Sequence, residues 1–198
     1  SGRSPSARRS ANSVRCPVKN GMQRTTTSIR SFRAVMTGKV PPPESLPDFR
    51  TRLAAHRGRI GDWFDRPRPI DTRYVPPDPA LEPGVKAEGQ LVWMRADGPL
   101  PDDPVLHACI VTYASDMTLL DSTLRPFGKS SLTDDIMMAS LDHAMWFHRP
   151  FRADEGLLYQ QRAISSGAAR GLAGGAIFTS DGTLVVNVVQ EGLIRVMR

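Results

Sequence analysis

The sequence predicts an α+β domain in which one long helix lies against an antiparallel sheet. Three observations lead there. Leu106, Ile110, Tyr113, Met117, Leu120 and Leu124 recur at steps of three and four, an apolar stripe that predicts a single buried helix over residues 104–124. Strand-like segments follow at 137–147, 156–165, 169–179 and 183–196. Ser180-Asp181-Gly182 joins the last two as a tight hairpin, because Asp-Gly readily takes the positive φ values of such turns. One buried helix followed by antiparallel strands implies a sheet wrapped around that helix.

The elements before the helix are less regular. Residues 1–40 hold nine of the 26 Lys and Arg and no Asp or Glu, which leaves 17 basic against 20 acidic residues in 41–198. The net charge of +6 therefore belongs to the leading segment. That segment lacks sustained apolar periodicity and is expected to be largely unstructured. Val40-Pro41-Pro42-Pro43 is a stiff spacer. Residues 44–58 read as a short helix from the spacing of Leu46, Phe49, Leu53 and Ala54, closed by Gly58, and residues 70–75 as a strand in a proline-rich stretch. The chain thus divides into a basic segment at 1–40, a proline-rich linker at 41–83 and a compact domain at 84–198. The domain opens with a strand at 90–96, and Asp102-Asp103-Pro104 starts the helix, acids and proline both suiting a first turn.

Several function classes lose their signatures. Cys16 and Cys109 support neither a disulfide framework nor a zinc site, so no metal is expected, and two free thiols suit a reducing compartment such as the cytoplasm. No apolar run approaches the ~20 residues needed to cross a bilayer, and no membrane association is expected. The basic residues of the leading segment are scattered, with Phe32 the only aromatic among them, which disfavours a nucleic-acid arm. A Gly-x-Ser-x-Gly elbow and a P-loop are both missing.

Three polar positions interrupt apolar elements. Asp116 sits about 100° from the centre of the helical stripe. A carboxylate there is partly buried and needs hydrogen bonds, unless it is simply a solvated helix-edge acid. Ser140, Asp142 and His148 share one face of their strand by alternation. Asp142 with His143 or His148 could form an acid–base pair, or Asp142 could anchor a neighbouring backbone. Gln190 lies amid β-branched residues in mid-strand, where an unpaired amide costs roughly 1–3 kcal/mol.

Leu141-Asp142-His143-Ala144-Met145-Trp146-Phe147-His148-Arg149-Pro150-Phe151 resembles the signature strand of type II acyl-CoA thioesterases. Three further blocks agree in family order: Tyr113-Ala114-Ser115-Asp116, Ala169-Arg170-Gly171 and Val189-Gln190-Glu191-Gly192-Leu193-Ile194-Arg195. The resemblance covers residues 85–197 and more loosely 40–84, and it implies the C-terminal unit of a double hot-dog fold. It implies that Asp116, Ser140 and Gln190 place a water to attack the thioester carbonyl, with no cofactor, and that Asp142 is structural. The family usually has Thr where Ser140 stands; serine keeps the hydroxyl but has more χ1 freedom. Acyl-CoA is the implied substrate. A homo-oligomer is the implied assembly, since a lone hot-dog sheet leaves an edge and an apolar face exposed.

Gly2-Arg3-Ser4-Pro5-Ser6-Ala7-Arg8-Arg9 resembles the end of the family's first hot-dog domain, after which the pattern stops until Pro41. Residues 1–40 are therefore expected to be a remnant of that domain, with 11–37 a stretch misread in a shifted frame. The competing expectations are a non-catalytic hot-dog module that binds acyl-CoA or a partner domain, and a nucleic-acid-binding protein resting on residues 1–40.

Overall fold

The computed structural model describes residues 40–78, 80–132 and 134–197. The misread stretch expected at 11–37, and all but Val40 of the remnant expected at 1–40, lie outside the described residues. Seven strands form one antiparallel sheet: β1 (Ile70–Tyr74), β2 (Gly89–Ala96), β3 (Ile136–Ser140), β4 (Ala144–Phe147), β5 (Leu157–Gly167), β6 (Arg170–Thr179) and β7 (Leu184–Val196). Their order is β1-β2-β5-β6-β7-β3, and β4 also pairs with β7. Among the described helices, α1 (Phe49–Leu53) and α2 (Arg57–Ile60) are short, and α3 (Pro104–Asp116) is the long one. It lies against the sheet as the hot-dog arrangement requires.

The start of α3 follows its sequence. Asp103 caps it, its Oδ1 accepting from the backbone N–H of Val105 at 2.9 Å and of Leu106 at 3.4 Å, with Pro104 in the first turn. Its end does not follow the apolar stripe. The α-helix stops at Asp116, and the chain continues through 3-10 turns at Leu120–Thr123 and Arg125–Phe127. The ladder tightens at that point: the Met117 N–H turns to the Ala114 carbonyl at 3.3 Å, three residues back, and the Ser122 N–H likewise to Leu119 at 3.1 Å. Past the helix, Gln90 Nε2 donates to the Thr118 carbonyl at 3.0 Å.

The buried face of α3 also differs from the stripe. His107, Val111, Ala114 and Ser115 face the sheet, whereas Tyr113 is 56% exposed and Met117 36%. Apolar residues occupy almost every side of this helix, so periodicity alone does not choose a face. Val111 and Ala114 pack with Leu119, Leu157, Tyr159, Ala173, Ile177, Val186 and Val188. Small helix residues allow close approach, and Gly175 makes room for the Tyr159 ring, which a Cβ there would meet at 2.4 Å. Each fully buried aliphatic side chain contributes about 1.5–3 kcal/mol.

The expected helix at 44–58 is broken into short pieces, because Pro47 holds Leu46 extended and a new start forms at Asp48, whose Oδ1 accepts from the Thr51 N–H at 2.8 Å. The chain turns at Gly61, at φ 64°, rather than closing at Gly58. The 41–83 segment does not stand apart from the sheet. β1 pairs with β2, Leu46 packs on Trp93 and Leu158, and Trp93 Nε1 donates to the Pro41 carbonyl at 2.9 Å. The buried Arg52 pairs with Asp78, and its guanidinium stacks 3.7 Å over the Tyr74 ring.

The expected strand over 137–147 is two strands. Residues Leu141, Asp142 and His143 leave the ladder, and β4 resumes the pairing with β7. Alternation across that break fails, so Ser140, Asp142 and His148 do not act from one strand face. His148 lies past β4, where its Nε2 meets Asn187 Oδ1 at 2.9 Å.

Candidate active site

Asp116 ends α3, Ser140 ends β3, and Gln190 lies within β7. The sheet brings the last two together, since Ser140 pairs with Gly192, two residues from Gln190. The end of α3 lies above them. Ser140 Oγ donates to Asp116 Oδ1 at 2.8 Å, Gln190 Nε2 donates to Ser140 Oγ at 3.0 Å, and Gln190 Nε2 also donates to Asp116 Oδ1. A carboxylate at a helix C-terminus faces the negative end of the dipole, so these two donors meet an electrostatic need. Gln190 is fully buried, while Asp116 and Ser140 are exposed. The site is an open-topped cluster with a buried floor. Its chemistry is that of a base, a hydroxyl and an amide around one solvent-facing point.

Asp142 and His143 do not join that cluster, and neither does His148. Asp142 Oδ1 accepts from the Glu191 N–H at 2.7 Å, and His143 Nε2 lies 3.1 Å from Ser115 Oγ. Two buried atoms close to the cluster have no partner, Gln190 Oε1 and the Tyr159 hydroxyl. Burial first and the Asp116 carboxylate second push that hydroxyl well above the usual tyrosine pKa.

Sequence reasoning missed a second polar group beside the first. Gln161 Nε2 donates to Thr118 Oγ1 at 2.5 Å, and Gln90 Nε2 donates to Gln161 Oε1 at 2.5 Å. All three residues are buried. The signal was weak: Gln161 stands between Gln160 and Arg162, so nothing local marks it out as Gln190 is marked by its β-branched neighbours. A cleft of about 740 Å³ borders this group at Gln90, Gln161 and Arg125, and another of about 590 Å³ opens near Phe127 and Ile194. Neither includes the Asp116 cluster.

Comparison with known proteins places this geometry. Residues 70–193 match the family model described as acyl-CoA thioesterase. The chain is 32% identical to acyl-coenzyme A thioesterase 8 of Homo sapiens, over 94% of this chain and 70% of that protein. It is 35% identical to acyl-CoA thioesterase 2 of Haemophilus influenzae, over 66% of this chain and 45% of that one. Among solved structures it resembles the acyl-CoA thioesterase II TesB2 from Mycobacterium marinum, with a TM-score of 0.60 and 46% identity over 79% of this chain and 54% of that chain. A conserved protein with hot dog fold from Alicyclobacillus acidocaldarius, at 17% identity and a TM-score of 0.56, supports the fold alone. The fold is thus a hot-dog fold. The chain belongs to the acyl-CoA thioesterase family, and it spans about half the length of the solved relatives it matches.

Proposed function

We propose that the chain hydrolyses acyl-CoA thioesters to free fatty acid and CoA at Asp116, Ser140 and Gln190. The observation that carries this reading is the convergence of those three side chains from α3, β3 and β7 into one hydrogen-bonded cluster. Asp116 takes a proton from a water, and the resulting hydroxide attacks the thioester carbonyl carbon. Ser140 and Gln190 hold that water in line. Collapse of the tetrahedral intermediate breaks the C–S bond, and the CoA sulfur leaves as a thiolate that recovers the proton. Release of CoA from short- and long-chain acyl-CoA, followed with a thiol reagent, tests the reading. Acyl-CoA binding without release above the uncatalysed rate would leave the non-catalytic module in its place.

The same reading includes self-association. Met137, Leu141, Trp146 and Phe147 are exposed on the β3–β4 edge, as are Tyr113 of α3 and Met117 just past its end. An apolar edge of this kind is an association surface, and a second copy would cover it. Sedimentation of the whole chain as a concentration-independent monomer would exclude this assembly. The exposed free thiol of Cys109 suits the reducing cytoplasm as the place of action.

A further inference from the structure

We propose that Asp142 and His143 are positioning residues that hold the two sides of the Asp116 cluster together. The inference rests on the hydrolase reading of that cluster and adds residues to it. Between the pairs Ser140↔Gly192 and Ala144↔Val189, three residues of the β3–β4 break oppose two of β7. This is a bulge, the device by which a sheet re-aims side chains near a site. The first residue after it begins is Leu141, whose N–H donates to the Glu191 carbonyl at 2.9 Å. The next, Asp142, uses its side chain to accept the Glu191 N–H at 2.7 Å. Both backbone groups of the residue after Gln190 are therefore held by the break. The third, His143, reaches the opposite way, to Ser115 Oγ at 3.1 Å. Ser115 is fully buried and immediately precedes Asp116.

The proton on this last contact follows from its surroundings. The Ser115 hydroxyl has two acceptors besides the ring, the Thr112 carbonyl at 3.0 Å and Met145 Sδ at 3.7 Å. With its proton on the carbonyl, the stronger acceptor, the proposed arrangement has His143 donating from Nε2, which sets its tautomer. Consecutive residues thus supply the cluster hydroxyl (Ser140), grip the strand beside its amide (Asp142) and grip the helix beside its carboxylate (His143). A displacement of about 1 Å in such a site costs on the order of 10²-fold in rate.

The experiment compares acyl-CoA hydrolysis and His143 ring nitrogen resonances in the whole chain and its variants. His143→Leu is expected to lower kcat by roughly 10–100-fold with KM within about 2-fold, and His143→Gln, which restores an N–H donor, to recover most of the loss. Asp142→Ala should behave like His143→Leu, and Asp142→Asn, which keeps the acceptor oxygen, like the parent. In the parent the ring should show a single Nε2–H tautomer near neutral pH, and Ser115→Ala should abolish that preference even if His143→Leu does not fold. A ring that averages both tautomers in the parent would overturn the proposal. So would equal kcat for His143→Leu and the parent in a protein that Asp116→Asn inactivates. If the parent releases no CoA at all, the hydrolase reading has failed first, and the positioning role falls with it.

Discussion

Gln190 and Gln161 invite comparison: both are fully buried amides on the same sheet, and both reach toward the end of α3. Gln161 meets neutral partners, Thr118 and Gln90, which are buried with it and leave its own amide nitrogen and oxygen both partnered. Gln190 meets a carboxylate and a hydroxyl that are both exposed, and its own oxygen is left without a partner. A closed, satisfied group rigidifies a core. An open one, with a base at its surface and an acceptor in its floor, has unused capacity for a reacting molecule. Burial of a polar side chain is therefore not the mark of a site; incomplete satisfaction next to solvent is.

The largest expected effect is on turnover. Asp116→Asn should lower kcat by about 10²–10⁴-fold with the fold intact, as measured by CoA release beside far-UV circular dichroism. A fully active Asp116→Asn would place the open cluster in the same class as the closed one. Next comes a matched pair. Gln190→Leu should reduce kcat by roughly 10²-fold while leaving Tm nearly unchanged, since one of its polar atoms was unpaired already. Gln161→Leu should do the reverse. It strands the Thr118 hydroxyl and half of the Gln90 amide, costs about 2–4 kcal/mol, and leaves the rate per folded molecule alone. Thermal melts that rank the two variants the other way round would remove the contrast.

Ser140→Thr is a smaller change, expected to raise kcat a few-fold because branching at Cβ restricts χ1 and holds the hydroxyl toward Asp116. A fall in rate would mean that the added methyl clashes. Smallest of all is Tyr159→Phe. Deleting a buried hydroxyl that has no partner should leave Tm unchanged or raise it, by no more than about 1 kcal/mol of stability. A clear loss of stability would show that this hydroxyl is satisfied after all.

Most of the sheet was legible in the sequence because strands advertise themselves by turns and β-branched runs; the Asp181-Gly182 hairpin, with Gly182 at φ 87°, is the plainest case. The start of α3 was equally legible, since Asp103 and Pro104 act locally. Its end was not. The ladder tightens to a three-residue step at Met117 with no glycine or proline to mark it, and the chain just beyond is tied to the sheet by contacts such as Gln90 to the Thr118 carbonyl, between residues 28 apart. The buried face was hidden for a related reason, as a helix apolar on every side is oriented by what it meets. Asp116, Ser140 and Gln190 were singled out as polar interruptions and through resemblance to a family motif; Gln161, between Gln160 and Arg162, is neither. The break at 141–143 left no local trace, because Leu141-Asp142-His143 contains no glycine or proline.

The place of β7 has a consequence for synthesis of the chain. It is made after the other six strands described, yet it pairs with β3, β4 and β6 and supplies Gln190. Until it emerges, residues 136–147 have no strand to pair with and the cluster has no floor. Vectorial folding from the N-terminal side can therefore complete α3 and the β5–β6 hairpin, but not the Asp116 cluster. The apolar β3–β4 segment must wait unpaired for about 40 further residues, two to eight seconds at ordinary elongation rates of about 5–20 residues per second. For that interval the nascent chain carries the aggregation risk of an open strand, and loss of β7 alone would prolong the risk indefinitely.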